Sequence, residues 1–235
     1  MSKLVILTGS SGFLGKKISN QFSTIKDLRL IKVTSKNISR NDTFKVDFRK
    51  PESIRVFFKK IRRIYGEPSV LINNAAIITQ KKFSDFISNS NDKRILNTYL
   101  INSYASLLFI KYFMLGGKKI EKPKIVINLL TRNAVFGGSR HIDYISSKAS
   151  LYNATRSLSN DYKDVTFYNF LPGPFGDKKF HTNPNKIVNE IISCFSKNIG
   201  NNYREIYFEN SLDIIQIILR NLFNYLKNIR NAPPK

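Results

Sequence analysis

The chain has 235 residues, 42% of them hydrophobic and 23% charged, and a formal net charge of +23. That balance suits one large globular domain with a sizeable core and excludes a disordered or fibrous chain. The lysines and arginines are spread from end to end rather than gathered in an arm, which predicts no nucleic-acid partner, and without a run of eighteen apolar residues no stable membrane insertion is expected.

Lys3-Leu-Val-Ile-Leu-Thr8 reads as a strand, and it starts almost at the initial Met with no cleavable signal pattern, so a cytoplasmic location is expected. Gly9-Ser10-Ser11-Gly12-Phe13-Leu14-Gly15 follows and runs into a helix candidate from Gly12 to Phe22. Glycines between a strand and a helix permit a tight turn and close approach of backbone to phosphate. The unpaired amides at the helix start attract a pyrophosphate. The second strand candidate, Leu28 to Val33, ends in Thr34-Ser35-Lys36, with Arg40 beyond it and no acid. A third, Thr43 to Asp47, leads through Phe48 to a helix over Pro51 to Tyr65.

Ser69 to Asn73 is the fourth strand and is followed by Asn74-Ala75-Ala76. A helix over Ile95 to Leu115 carries Asn102, and the strand Lys124 to Leu130 runs into Thr131. Then come a helix over Asp143 to Tyr162, a strand over Val165 to Phe170 ending near Pro172-Gly173, a helix over Lys186 to Phe195 and a strand over Arg204 to Phe208. Cys194, the one cysteine, sits in that last helix and reads as a small buried hydrophobe.

Runs such as Leu4-Val-Ile-Leu7 and Val70-Leu-Ile72 are continuously apolar, which suits strands covered on both faces. The rhythm predicts an α/β fold, a doubly wound parallel sheet of about seven strands with helices on both faces. Residues 1–210 read as a single domain. Residues 211–235 read as an appended amphipathic helix and tail, with Ser211 as N-cap.

Tyr144 and Lys148 are four residues apart, so on a helix they share one face. A cation beside a phenol stabilises the phenolate and lowers its pKa from about 10, which is the chemistry of a general acid/base. Neither His141 nor His181 has companions at metal-ligand spacing, so no metal is expected.

Taken together, these motifs resemble the short-chain dehydrogenase/reductase family. Thr8-Gly9-Ser10-Ser11-Gly12-Phe13-Leu14-Gly15 resembles its glycine loop, Asn73-Asn74-Ala75-Ala76 its Asn-Asn-Ala-Gly turn, and Tyr144-Ile-Ser-Ser-Lys148 its Tyr-x-x-x-Lys. Asn102 and Pro172-Gly173 fall where the family carries an Asn and a Pro-Gly. Thr131, thirteen residues before Tyr144, stands where it usually has a serine. The glycine spacing is closer to the extended subgroup, whereas the length and the Asn-Asn-Ala-Ala turn favour the short one.

The resemblance implies hydride transfer between a nicotinamide dinucleotide and a carbonyl or alcohol. Tyr144 is then the acid/base, Lys148 its partner and ribose ligand, Thr131 a hydrogen-bond donor to the developing charge, and Asn102 a relay member. It also implies contacts to the cofactor from Asp47, Phe48, Asn74, Ala75, Ala76, Pro172 and Gly173. Ser35 and Lys36, where an acid would hold a 2′-hydroxyl, favour NADP(H) over NAD(H). The substrate is expected to be a small molecule. Lys178 and Lys179 read either as contacts to an anionic one or as a solvated basic run. A nucleotide-sugar epimerase or dehydratase and a non-catalytic NADP-binding regulator are the alternatives, and the family resemblance implies a homodimer or homotetramer.

Overall fold

The computed structural model describes residues 3–37, 42–78, 92–115, 124–138, 141–174, 182–195 and 202–208, with Ile215, Leu219 and Leu222 beyond them. Arg40, Lys178, Lys179 and His181 lie outside the described residues, as does most of the helix read over 211–226. Ile215, Leu219 and Leu222 are helical and exposed.

The elements follow the expected alternation. They are β1 (Lys3–Thr8), α1 (Phe13–Phe22), β2 (Leu28–Thr34), β3 (Thr43–Lys45), α2 (Pro51–Tyr65) and β4 (Val70–Asn73). After these come α3 (Asp92–Tyr99), a π-helical turn (Leu100–Tyr104), α4 (Ala105–Met114), β5 (Lys124–Leu129), α5 (Asn133–Phe136), α6 (Ile142–Asp161), β6 (Val165–Leu171), α7 (Pro184–Ser193) and β7 (Tyr203–Tyr207). The seven strands form one parallel sheet in the order β3-β2-β1-β4-β5-β6-β7. Chain order reverses between β1 and β4, so a crevice opens at the carboxyl ends of those two strands.

The inner strands β1, β4, β5 and β6 are mostly apolar on both sides because each side meets helices. Leu14, Ile18 and Phe22 of α1 and Ile187, Val188 and Ile191 of α7 pack on Val5, Leu7, Val70, Ile72, Ile127 and Phe170. On the other side α2, α4 and α6 cover Leu4, Ile6, Leu71, Val126 and Phe167, with a cluster of rings from Phe57, Phe58 and Phe109. The sequence expected one helix from Ile95 to Leu115. The structure instead starts it at Asp92 and interrupts it with the π-helical turn, where Ala105 N–H reaches back five residues to Leu100 C=O. Such insertions are frequent at functional sites. The short α5 has no apolar periodicity to betray it, since it is a single turn.

One row of the sheet is polar. Asn73, Asn128, Asn169 and Glu205 stand in register on β4, β5, β6 and β7, on the side facing α4 and α6. Asn73 Nδ2 donates to Asn128 Oδ1 at 2.9 Å, Asn128 Nδ2 to Asn169 Oδ1 at 3.0 Å, and Asn169 Nδ2 to Tyr203 Oη at 3.0 Å. Tyr203, Tyr152 and Tyr207 then donate their phenols to the Glu205 carboxylate at 2.9, 2.7 and 2.9 Å. Asn128 also donates to Thr155 Oγ1 of α6 at 3.0 Å. Asn73 Oδ1, at the end of the row, has no hydrogen-bond partner among the described residues, and removing a link further along would strand more buried polar atoms. Replacing Asn128 with Ala is therefore expected to lower stability by about 2–4 kcal/mol. Urea unfolding checks this, and a loss under about 1 kcal/mol would show that the row does not act as a network.

Candidate functional site

The crevice at the switch point is a cleft of about 590 Å³. Its floor is the loop after β1. Gly9 has φ +66°, and a Cβ there would lie 2.6 Å from Ala75 Cα, while a Cβ on Gly15 would lie 2.2 Å from Gly9 C=O. Both positions are thus closed to any other residue. The loop is pinned from β4's end: Thr8 Oγ1 accepts from Asn74 N–H and Ala75 N–H, both at 3.0 Å, and Asn74 Nδ2 donates to Thr8 and Gly9 C=O. Gly12 is the N-cap of α1 and offers no side-chain cap, so the first amides of the helix open onto the cleft beside Phe13 and Leu14. A backbone cradle of this kind, with no acid in the first helical turn, fits the pyrophosphate of a dinucleotide.

The second wall comes from the ends of β2 and β3. Thr34, Ser35, Lys36, Asp47, Phe48 and Arg49 line it. Ser11 Oγ and Thr34 Oγ1 share a hydrogen bond of 2.8 Å, and Asp47 is held below the usual carboxylate range chiefly by its bond to the Arg49 guanidinium. Asn74, Ala75, Ala76, Ile77 and Ile78 continue the wall from β4.

Tyr144 and Lys148 close the far end from α6, beside Leu129, Leu130, Asn97 and Ile101. Lys148 is only 1% exposed. Its Nζ donates to Leu129 C=O at 2.8 Å and stands 6.0 Å from the centre of the Tyr144 ring. The sequence expectation that the lysine lowers the tyrosine pKa is corrected by the protein taken by itself. Burial holds the Tyr144 phenol up at about 12 and pushes the Lys148 ammonium down to about 7. Desolvation disfavours the charged form of each group, and a lysine near half-neutral at pH 7 lends little charge to its neighbour.

The remaining expected site residues stand behind the wall. Asn102, fully buried in the π-helical turn, accepts from Ile77 N–H at 2.8 Å and donates to Ile77 C=O at 2.9 Å and Ser147 Oγ at 3.1 Å. It ties the loop after β4 to α6. Thr131 lies one residue past the cleft-lining Leu130, and its hydroxyl accepts from Asn133 N–H at 3.4 Å. Ser10 is buried with its hydroxyl on Val33 C=O. Pro172 C=O accepts from Arg132 N–H, and Gly173 N–H donates to Thr182 Oγ1. His141 precedes α6 in a left-handed conformation, φ 58°. Sequence reasoning missed Arg49, Asn97 and Ile101 on the cleft wall. Arg49 had a usable signal, standing two residues beyond Asp47, whereas Asn97 and Ile101 carry no motif. Among the described residues no group of three His, Cys, Asp or Glu is placed to hold a metal ion, and no helix is long and apolar enough to cross a membrane.

The family model described as short chain dehydrogenase matches residues 3–185, and the chain belongs to that family. A curated relative, the NAD-dependent glycerol dehydrogenase of Listeria innocua, is 25% identical over 174 residues, covering 68% of this chain and 65% of its own length. The chain thus spans about two thirds of the length of such curated relatives. Among solved structures, the ligand-free aldohexose dehydrogenase of Thermoplasma acidophilum superposes with a TM-score of 0.76 at 18% identity, covering 91% of this chain and 94% of that one. The alcohol dehydrogenase of Thermococcus sibiricus complexed with 5-hydroxy-NADP gives 0.75 at 17% identity, covering 88% and 96%. At these identities the likeness is one of fold.

The buried lysine makes stability depend on pH. Between pH 7 and 10.5 the unfolded chain holds a proton on Lys148 that the folded chain lacks, so stability rises with pH through that window. Relative to a Lys148→Met variant, the wild type should gain about 3 kcal/mol between pH 7 and 9.5 in denaturant melts without added cofactor. Parallel curves for the two proteins would contradict it.

Proposed function

We propose that the chain is an NADP(H)-dependent oxidoreductase, with Tyr144 as its general acid/base. The observation that carries this reading is the placement of Tyr144 and Lys148 on the wall of the same cleft whose floor is the glycine cradle. The bound nicotinamide would supply or accept the hydride. In the reductive direction the Tyr144 hydroxyl gives its proton to the developing alkoxide, and a phenol held at about 12 is fully protonated and ready to donate near pH 7. Lys148, when protonated, stabilises the phenolate left behind. With the ammonium 6.0 Å from the ring centre and an effective dielectric of 20, a unit charge contributes about 3 kcal/mol, or about two pKa units, comparable with the effect of burial on Tyr144.

Thr131 donates a hydrogen bond to the substrate oxygen, and Asn102 positions α6 and takes part in proton relay. Ser10, Ser11, Phe13, Leu14 and the Gly9, Gly12 and Gly15 backbone hold the phosphates. Asp47, Phe48, Asn74, Ala75, Ala76, Pro172 and Gly173 border the remainder of the cofactor. The choice of NADP(H) rests on Ser35 and Lys36 at the end of β2, where no acid meets the ribose, because named relatives span both cofactors. Relatives named as dehydrogenases and reductases do not favour an epimerase.

A homo-oligomer is part of the same reading. Helix α4 is apolar nearly all round, and the large apolar residues that flank it, Tyr104 and Leu115, are exposed. A Tyr104→Glu/Leu115→Glu variant should sediment at the monomer mass where the wild type sediments as a dimer or tetramer. An unchanged mass would place the contact elsewhere.

For activity, a panel of carbonyl substrates followed by NADPH absorbance is expected to give turnover that falls 10²–10⁴-fold in Tyr144→Phe. Turnover retained in that variant would overturn the assignment of Tyr144.

A further inference from the structure

Asp47 is the one acid among the described residues of the cleft wall, against Lys36, Arg49 and Lys148. It stands at the end of β3, and β3 pairs with β2 so that Lys45 faces Thr34, with Val46 N–H on Thr34 C=O. Asp47 therefore follows β3 on the same cleft wall that Ser35 and Lys36, following β2, line. A bare carboxylate there would repel a ribose 2′-phosphate, which carries close to two negative charges.

It is not bare. Arg49 N–H donates to Asp47 Oδ1 at 3.0 Å, Arg49 Nε to Oδ1 at 3.2 Å, and Nη2 stands 3.5 Å from Oδ2. The side chains are 57% and 31% exposed, so the pair is worth little to folding, and its value must lie in the field it leaves in the cleft. We infer that Arg49 sets the cofactor preference of this chain by cancelling the charge of the Asp47 carboxylate beside the 2′-phosphate site. The inference rests on the NADP(H) reading given above. Asp47 keeps its carboxylate for the adenine side of the cleft, while Arg49 cancels the charge that would otherwise select against a third phosphate.

The test is the ratio of the NADH and NADPH dissociation constants, measured by calorimetry on the full chain at low salt, where such fields are least screened. The wild-type ratio should be well above one. Arg49→Gln should lower the ratio on the order of tenfold, the effect of one uncompensated charge within about 8 Å. An Asp47→Asn/Arg49→Gln double variant should bring it back to within about twofold of the wild type, since the carboxylate that needed cancelling is gone. A wild-type ratio near one would overturn the NADP(H) reading and this inference with it. A high wild-type ratio that Arg49→Gln leaves unchanged, or that the double variant fails to restore, would overturn the inference alone.

Discussion

The constraint on which the rest of the site depends is the burial of Lys148. An ammonium at 1% exposure with a backbone carbonyl as its hydrogen-bond partner is costly, and helix α6 must be seated firmly to keep it there. The seat is polar. Lys148, Tyr152 and Thr155 lie one turn after another on the face of α6 that meets the sheet, and they bond to Leu129 C=O, the Glu205 carboxylate and the Asn128 amide. Asn202 Nδ2 adds a bond to Ser159 C=O further along. An apolar face would let the helix slide or rotate at small cost, whereas these donors and acceptors match in one register only.

From that seat the geometry of the cleft follows. Tyr144 sits one turn before Lys148 and is carried to the mouth of the crevice at the switch point, opposite the glycine cradle. Asn102 binds both strands of the problem, clamping Ile77 on one side and Ser147 on the other, and the π-helical turn around it gives that asparagine its reach. Thr98 Oγ1 adds a bond to Asp143 at 2.9 Å, so α3 and the turn hold α6 at its N-terminal end as the asparagine row holds it further down. Helix α6, and with it Tyr144 and Lys148, is thus fixed from two sides.

Much of this was legible in the sequence. Helix α2 was bounded correctly because Pro51 suits a first helical position and Gly66 ends the helix, and the strands were found because runs such as Val70-Leu-Ile72 are apolar on both faces. Gly9, Gly12, Gly15, Asn74, Tyr144 and Lys148 were legible as motifs, since backbone cradles and helical spacing are local properties. The asparagine row was not, because Asn73, Asn128, Asn169 and Glu205 are far apart in the chain and read singly as interruptions of apolar strands. Nor was the ionisation state of Tyr144 and Lys148. Helical spacing says that two side chains are neighbours, but only packing says how much water each has lost, and here desolvation raises the phenol's pKa and lowers the ammonium's.

The central claim is that Lys148 is kept poorly charged by burial until the cleft receives a partner for it. The most direct measurement is an NMR titration of the Lys148 ammonium nitrogen, assigned by comparison with Lys148→Met, in protein without cofactor. The account predicts a midpoint at about 7. A midpoint near 10.5, the ordinary value for a lysine, would show that the group is solvated, and the keyed seat of α6 would lose its purpose.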